Sequence, residues 1–492
     1  MLKKVWLLAA ALVLMFPSWG MAGDFGKDDP SGVPGQWYVG TVPSYVAPSK
    51  HPVLFVHGLN SSSNTWWNDN NMYDTAYQNG YETAFIDLYP TKTMWDNGAL
   101  LSGRIRDMYN YFGEKVVIVA HSKGGIDTQS ALVHYGAYPY VERVITLSSP
   151  HKGSELADLA YSSWAGWLAG ILGSKSDATY SLQTGYMSYF REQTDSHGNV
   201  GRVPFYTFAG TKWGSFGSSL YWGGLYLSSY GSNDGAVTVN SSRLPYAAHL
   251  GTSSWNHSTI KEGSSTFNLF KSYLNESAPS SFGAGIQSID SEVQTASTYI
   301  RGGAYKGNKQ ETFYVEEGTE EVTIDWISNH KNTSLSLEDP DGKDTYTLKT
   351  TADENGFFND AFHHSVSIAI PKSGKWKLHA NTSEEEHYLM NITYDSEMND
   401  SVNVHISSDT IKVKEKSSKV KLKTDITIDY YKNGKLKKGK IKFKDSTFKL
   451  PKLGEGVYNL TIDVEGEKGS DKFKRTMVKS IYVDDEGKMY FQ

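Results

Sequence analysis

The stretch VVIVAHSKGGIDTQSAL, residues 116–132, constrains the fold more than any other part of the chain. An apolar run predicts a buried strand, a short turn of small residues follows around Ser122, and a helical pattern begins directly after it. A serine hydroxyl is a weak nucleophile unless a sharp turn exposes it to a base, and this junction provides such a turn. Ala120 and Gly124 supply the small side chains that the crossing needs. The pattern taken alone also fits a serine that only caps the helix.

Short apolar runs alternate with helix-like stretches through the first half of the chain. This rhythm predicts a parallel α/β sheet, with Ser122 at the carboxyl end of a central strand, where open α/β sheets bind their ligands. The runs predicted as strands are residues 51–56, 83–87, 116–120, 144–147, 205–209 and 247–250.

One of these strands ends in His57-Gly58-Leu59, where a turn presents free backbone N–H groups. Acyl transfer needs such donors for the oxygen that becomes negatively charged, and one donor is worth about 10²–10³ in rate. The backbone N–H groups of Leu59 and Lys123 are therefore the predicted oxyanion-hole donors. His57 is interpreted as a brace for this loop rather than as the general base.

The acid and the base are expected later in the chain, in the order nucleophile, acid, histidine. Asp234 lies in the turn-forming segment GSNDGAVTV, and His257 lies in the polar loop SSWNHSTI. Each segment alone is typical of a surface turn. Their order after Ser122, each following a predicted strand, predicts a catalytic set of Ser122, Asp234 and His257. His249 and Asp87 are the substitutes for this assignment, and both are interpreted as structural.

Residues 34–270 resemble the α/β-hydrolase superfamily, specifically secreted bacterial lipases and esterases of the Bacillus type. The motifs that carry the resemblance are His57-Gly58-Leu59, AHSKGG at 120–125, ITLSSPHKGSELAD at 145–158, Asn233-Asp234-Gly235 and Asn256-His257. Ala120 stands where the pattern G-x-S-x-G has glycine, which is a variant among bacterial lipases. The resemblance implies Ser122 as the nucleophile, His257 as the general base and acid, and Asp234 as the carboxylate that orients it. No catalytic metal or other cofactor is expected.

A long insertion, residues 157–202, carries an apolar, glycine-interrupted segment with Trp164, Trp167 and Leu168. Above a catalytic serine, such a segment forms a lid or a groove for the acyl chain, and these three residues are the candidate substrate contacts. The alternative, of equal weight, is a helix that packs them into the core.

The chain of 492 residues is too long for one hydrophobic core, so several domains are expected. Residues 1–22 have the charged start, apolar run and small-residue site of a secretory signal peptide, with cleavage expected near Ala22. The chain has no cysteine, which excludes disulfides and thiol catalysis. Because of the predicted signal peptide, we expect an extracellular protein.

Residues 279–395 alternate apolar and polar positions, as in EEVTIDWIS and HSVSIAIP, which predicts a β-sandwich after a Ser/Gly/Pro-rich linker at 275–288. Residues 396–492 repeat the pattern with lysine at alternate positions, as in IKVKEK and KIKFK. One basic sheet face suits an anionic wall polymer or lipid surface, but an ordinary solvated face fits equally well. The predicted fold class is an α/β-hydrolase domain at 23–278 followed by two all-β sandwich domains, the last Lys-rich and Ig-like.

Together these features predict a secreted carboxylic-ester hydrolase, with a triacylglycerol lipase as the leading hypothesis. The expected partner is a lipid or another ester, bound at an interface, and no nucleic-acid partner is expected. A monomer is expected. Two alternatives stay open: a polyester depolymerase of the polyhydroxyalkanoate type, and a non-catalytic surface adhesin that uses the hydrolase fold to present its β domains.

Overall fold

The computed structural model describes residues 32–171, 175–277, 295–342, 345–353, 358, 360–407, 409–416, 420–469 and 471–492. The predicted signal peptide at 1–22 lies outside the described residues, as does most of the predicted linker at 275–288.

A seven-stranded sheet forms the centre of the described first half of the chain. Its strands are β1 Trp37–Val39, β2 Val53–Val56, β3 Thr83–Ile86, β4 Val116–His121, β5 Val141–Leu147, β6 Phe205–Gly210 and β7 Ala248–Ser253. They lie in the order β1-β3-β2-β4-β5-β6-β7, and every pair is parallel except β1 with β3. Leu54 packs into one apolar cluster and its neighbour Phe55 into another, so both sheet faces are covered. The parallel α/β sheet predicted from the sequence is confirmed.

Helices cover this sheet. Those in the described residues are α1 Met72–Gln78, α2 Met94–Phe112, α3 Lys123–Val133, α4 Glu155–Ala160, α5 Gly166–Ile171, α6 Asp177–Ser181, α7 Thr184–Asp195, α8 Ser219–Leu227 and α9 Asn268–Phe270. A capping box between Thr93 and Asp96 starts α2, and Gly113, with a φ of 75°, ends it. Every residue of α3 is buried. The helix that follows Ser122 is therefore fixed from all sides.

The chain beyond residue 295 continues with strands paired antiparallel. They are β8 Thr298–Val315, β9 Glu321–Ser328, β10 Ser334–Glu338, β11 Thr345–Tyr346, β12 Lys349–Ala352, β13 Phe362–Ala369 and β14 Gly374–Asp395. The long strand β14 pairs with β8 along its length, and also with β10 near its start and with β9 near its end. Trp326 stacks on Tyr388 in the core of this unit, with 4.0 Å between ring centroids.

Two more sheets complete the chain and enclose an apolar cluster between them. Their strands are β15 Val402–Ser407, β16 Thr410–Glu415, β17 Lys421–Lys432, β18 Lys435–Phe443, β19 Thr447–Lys449, β20 Gly456–Lys468, β21 Asp471–Val483 and β22 Met489–Tyr490. One sheet has the order β15-β16-β19 and the other β18-β17-β20-β21-β22. This arrangement fits the predicted sandwich, and the lysines of β18 are exposed on its edge.

Helices α4 to α8 and the β strands bury a common apolar cluster, here called the shared core. Its larger members include Leu156, Leu159, Leu168, Trp222 and Tyr226 from the helices and Ile300, Ile327, Leu389, Val478 and Tyr482 from the strands. The amide of Asn459 donates a 2.7 Å hydrogen bond to the Asp158 carbonyl, and the Gly185 N–H donates a 2.8 Å bond to Ser480 Oγ. The two halves of the chain therefore complete one core.

Candidate active site

Ser122 occupies the turn between β4 and α3, at the carboxyl end of the central strand. Its backbone has a φ of 53° and a ψ of −133°, a combination that residues with a side chain rarely adopt. A strained turn at this point points the hydroxyl away from the sheet and into the space beyond it. Ser122 occupies the N-cap position of α3, but its side chain makes no capping hydrogen bond and stays available to His257.

Two glycines allow the chain to pass close to this turn. A Cβ on Gly58 would lie 2.7 Å from the Cβ of Ser122, and a Cβ on Gly124 would lie 2.3 Å from the carbonyl oxygen of His57. Real Cβ atoms do not approach other heavy atoms this closely. The loop after β2 and the start of α3 can therefore meet only because both positions are glycine.

Three side chains that are distant in the sequence meet at this turn. The Nε2 atom of His257 lies 3.1 Å from Oγ of Ser122, and its Nδ1 atom lies 2.8 Å from Oδ2 of Asp234. Asp234 is fully buried. The structure brings together the three residues that the sequence analysis selected, with His257 between Ser122 and Asp234 as in a Ser–His–Asp triad.

The carboxylate of Asp234 is held in place by its own turn. Its Oδ1 atom accepts hydrogen bonds from the N–H groups of Ala236 at 3.0 Å and Val237 at 2.8 Å. The N–H of His257 donates to the Asp234 carbonyl at 3.0 Å. The loop that carries the base is thus fastened to the loop that carries the acid, which leaves Oδ2 free for the imidazole.

His121, the last residue of β4, contacts both the ring and the backbone of His257. Its Nε2 atom lies 2.8 Å from the His257 carbonyl oxygen, and the two ring centroids are 4.7 Å apart. Burial first, and then the neighbouring His257, hold the pKa of His121 well below its usual range. His121 is therefore neutral, and its Nε2–H donates to the carbonyl of His257.

His57 acts as the brace that the sequence analysis expected. Its Nδ1 atom lies 2.9 Å from the Gly58 carbonyl, and its Nε2 atom accepts a 2.9 Å hydrogen bond from the Leu88 N–H. Burial lowers the pKa of His57 to about 4. Both ring nitrogens are already used inside the protein, so His57 has no atom left to act as a base.

The two predicted oxyanion donors lie beside Ser122. Leu59 follows Gly58 in the loop that contacts the serine, and it lines the same cavity. Lys123 is the first residue of α3, so its backbone N–H has no carbonyl oxygen one turn earlier in the helix to bond. The Lys123 side chain is buried in a 2.6 Å ion pair with Asp127. Only the backbone of Lys123 is therefore available to a substrate.

A cavity of about 190 Å³ opens at Ser122 and His257. Its apolar lining comes from α4, the end of α6, α8 and the turn after Asp234, and includes Leu156, Leu182, Leu220, Trp222 and Val237. Its polar lining comes from the loops after β2 and β7, and includes Asn60, Ser61, Thr65, Ser258 and Lys261.

The predicted substrate contacts in the insertion are placed elsewhere. Leu168 is fully buried in the shared core, and Trp164 packs on Arg301 at 4.6 Å and donates a 3.0 Å hydrogen bond to Asp463. Neither lines the cavity. The side chain of Trp167 lies outside the described residues. The sequence analysis did not distinguish a groove from a core helix. Leu168 is a core residue and Trp164 packs, partly buried, against the same core, because the β strands cover this side of the insertion.

The sequence analysis missed the residues that do shape the cavity. Leu182 belongs to the same insertion as Trp164 and Leu156 lies directly before it, and both line the cavity at Ser122. Trp222 and Lys261 lie on short helices between and after the catalytic loops. Helical spacing marks Leu156 as an apolar face, yet no local signal tells which side of a helix meets the cavity and which meets a second domain.

Within the described residues, no helix has the length and apolar character needed to cross a bilayer. No group of three or more histidine, aspartate or glutamate side chains in that part of the chain is arranged to hold a metal ion.

With this geometry, the comparisons assign the chain to the α/β-hydrolase lipases and esterases, and it belongs to that family. It is a carboxylic-ester hydrolase. The lipase BlEst2 of Bacillus licheniformis, in propeptide form, is 42% identical and aligns with 94% of this chain and 100% of its own, with a TM-score of 0.84. The mature form of the same lipase is 56% identical and covers 50% of this chain and 100% of its own, with a TM-score of 0.48.

Two further comparisons match smaller parts of the chain. Residues 47–162 match the family described as a PGAP1-like alpha/beta domain. Triacylglycerol lipase 2 of Saccharomyces cerevisiae is 32% identical over 130 residues, which are 26% of this chain. The aligned region spans 40% of the yeast protein.

Proposed function

We propose that the chain is a secreted serine hydrolase that cleaves acylglycerol esters through an acyl-enzyme on Ser122. The observation that carries this proposal is the pair of contacts made by His257, 3.1 Å to Ser122 Oγ and 2.8 Å to Asp234 Oδ2. A histidine in hydrogen-bond reach of both a hydroxyl and a carboxylate can move a proton from the first without losing its orientation.

Each residue then has one task. His257 takes the hydroxyl proton as Ser122 Oγ attacks the ester carbonyl carbon, and the negative oxygen is held by the N–H groups of Leu59 and Lys123. The ester C–O bond breaks, and the proton passes from His257 to the leaving alcohol. Water then attacks the acyl-enzyme in the same way, which releases the acid. Asp234 keeps the imidazole in the tautomer that these steps need.

The cavity favours short acyl chains. Its volume of about 190 Å³ is below the roughly 300–1,000 Å³ of sites that enclose a drug-sized ligand. Triacylglycerols with short chains are therefore the proposed substrates, and the name of the yeast relative supports an acylglycerol. The polyester depolymerase is the weaker candidate, because a polymer segment needs an open cleft that passes beyond the serine on both sides.

The test compares wild type with Ser122→Ala on p-nitrophenyl esters from acetate to palmitate. We expect the highest kcat/KM at acetate or butyrate, and a loss of at least about 10⁴-fold in the variant. Ser102→Ala, a serine on α2 away from the site, is the control and should keep full activity. A phosphonate analogue of the ester should add its mass to Ser122 alone. Labelling of another residue would contradict the acyl-enzyme.

Two features of the cellular context are proposed with it. Residues 1–22 are proposed to direct secretion, which the N-terminal peptide mass of protein from the culture medium tests directly. The exposed edge strand β18, with lysines at 435, 437, 438, 440 and 442, is proposed to bind an anionic wall polymer or lipid surface. Retention on anionic vesicles that disappears at about 0.5 M salt would support this, and no retention at low salt would contradict it.

We also propose that the β half acts as a propeptide, since the B. licheniformis structure that aligns with 94% of this chain is of a propeptide form. In the shared core, the β strands pack against α4 to α8, the helices that carry Leu156 and Trp222 of the cavity wall. Limited proteolysis with activity measured at each time point is the test. A rise in activity as the halves separate supports the proposal, and a fall in step with cleavage contradicts it.

A further inference from the structure

Lys261 places a charged side chain in the lining of the catalytic cavity. It is the last residue of a short 3₁₀ helix, Thr259–Lys261, which follows His257 directly. Its Nζ donates a hydrogen bond to Oγ1 of Thr65. Among the described residues Lys261 forms no ion pair, and the charge of the adjacent Glu262 offsets only part of the effect of burial on Lys261. A half-buried cation without an ion-pair partner is costly, so its presence at this position needs an explanation.

The loops around Lys261 are fixed before any substrate arrives. The side-chain amide of Asn70 donates to the carbonyl of Thr65 at 2.9 Å and to the carbonyl of Lys261 at 3.1 Å. Ile260 and Trp66, the neighbours of these two residues, are fully buried in the same apolar cluster. The ammonium group and the threonine hydroxyl are therefore held together, as in a site whose donors are set in advance.

The cavity lining has an apolar part and a polar part, and each suits a different part of the ester. The apolar residues Leu156, Leu182 and Trp222 suit the acyl chain, and they come from helices in the insertion and beyond it. Thr65, Ser258 and Lys261 come from the loops after β2 and β7. A neutral alcohol would leave the charge of Lys261 unmatched, whereas an anionic one would complete it.

On the basis of the proposed ester hydrolysis at Ser122, we propose that Lys261 and Thr65 bind an anionic group on the alcohol part of the substrate. Short-chain acylglycerols with a phosphate on the glycerol are then preferred over neutral triacylglycerols, and a carboxylate at the same position offers the same chemistry. The anionic oxygens accept from the ammonium of Lys261 and from the hydroxyls of Thr65 and Ser258.

The site also predicts a pH effect on substrate binding. Burial lowers the pKa of Lys261 to about 8, with a smaller opposing effect of Glu262. The other titratable groups that face it are His121 and His257, since Lys261 contributes to the low pKa of His121. Because Lys261 loses its charge as the pH rises through about 8, KM for an anionic ester should rise there. KM for a neutral ester should not follow.

The experiment measures butyrate release from two anionic esters and their neutral partners by the full chain. They are 1-butyrylglycerol, 1-butyrylglycerol 3-phosphate, O-butyryl lactate and O-butyryl lactamide. The variants are Lys261→Met, which removes the charge, and Lys261→Arg, which keeps it. Lys271→Met is the matched control, because Lys271 is also half-buried and also hydrogen-bonds a side chain, that of Asn79, but does not line the cavity.

We expect Lys261→Met to raise KM about 10- to 100-fold on the anionic esters, as for the loss of a hydrogen bond to a charged group. KM on the neutral partners should stay within twofold, Lys261→Arg should restore most of the preference, and Lys271→Met should match wild type. Preference for the phosphate ester alone identifies a phospholipid-like substrate, and preference for lactate over lactamide identifies a carboxylate.

Equal losses on charged and neutral esters would show that Lys261 only supports the fold, and would overturn the proposal. So would a wild type without preference for either anionic ester. A failure of the proposed hydrolysis itself looks different, because then p-nitrophenyl butyrate would not be cleaved by any of these proteins, including wild type.

Discussion

The imidazole of His363 packs against the indole of Trp222, with 5.8 Å between the ring centroids. Trp222 lines the cavity at Ser122, whereas His363 lies on β13 in the other half of the chain. His363 is itself held between two carboxylates, 2.6 Å from Asp325 and 3.3 Å from Asp353. A buried ionic group from the β half therefore packs against one wall of the catalytic cavity.

Trp222 should limit the length of the acyl chain. We expect Trp222→Leu to enlarge the cavity and to raise the ratio of kcat/KM for p-nitrophenyl octanoate over butyrate about tenfold or more. The chain-length profile of the purified variant measures this.

Trp164→Leu is the matched control for this change. Trp164 packs on Arg301 and hydrogen-bonds Asp463 outside the cavity. Its loss should lower the melting temperature but leave the octanoate-to-butyrate ratio unchanged. A shift of the ratio in both variants would show that general loosening of the shared core, not the lost indole, sets the chain length.

His363 should be important for stability. Burial disfavours its charge, but Asp325 and Asp353 more than offset this and raise the pKa of His363 to about 10. His363→Gln removes the cation between these two buried carboxylates, which should cost about 3–5 kcal/mol in the free energy of unfolding. Urea unfolding of the full chain tests this. The double variant His363→Gln, Asp353→Asn should recover part of the loss, and no recovery would argue against the ionic explanation.

Gly58 should be essential for the geometry at Ser122. Gly58→Ala places a Cβ 2.7 Å from the Cβ of Ser122, which must displace the nucleophile or the loop. We expect kcat to fall about 10²-fold, as for a misplaced reacting group. The control is Gly103→Ala on α2, where an added Cβ meets no atom within 4 Å. That variant should keep kcat and gain about 0.5–1 kcal/mol of stability, so an equal loss of activity in both would refute the steric argument.

Acid should destabilise the fold well above the titration range of ordinary carboxylates. Burial lowers the pKa of His57 to about 4 and holds those of His121 and His151 well below the usual value. The unfolded chain takes up these protons near pH 6.5, so the stability they give is complete above that pH and is lost as the pH falls toward 4.

The contribution of His57 alone amounts to about 2 kcal/mol between pH 7 and pH 5. His363 has the opposite sign, since its raised pKa stabilises the fold below pH 6.5 and this contribution is lost only as the pH rises through about 10. Urea unfolding at pH 7.5, 6 and 5 measures the sum. A stability maximum at pH 5 would be inconsistent with histidines buried in the neutral form.

The sequence predicted the sheet of the first half and the side chains that meet at Ser122, but not the residues that line the cavity. Ser122 could be selected because a strand, a turn and a helix are local features, and the strands before and after it read as continuous apolar runs because both faces of the sheet are covered. Asp234 and His257 followed from their order in the chain. Strand β1 was missed, because only three residues pair at the sheet edge.

Trp222 and Lys261 could not be found in the same way. The role of Trp222 depends on His363, which lies far away in the sequence, and the role of Lys261 depends on Thr65 across the cavity. The same limit explains Trp164 and Leu168, which have an apolar pattern that fits a substrate groove as well as a core. Only the position of the β strands decides between the two.

The shared core also couples the evolution of the two halves of the chain. Gly185 on α7 lies so close to β21 that an added Cβ would come within 2.7 Å of the Tyr482 backbone nitrogen. Substitutions on one side of this contact are tolerated only when the other side already accommodates them. A gene that recombined between the two halves would join surfaces that were never selected together, so the catalytic half and the β half must diverge as a single lineage.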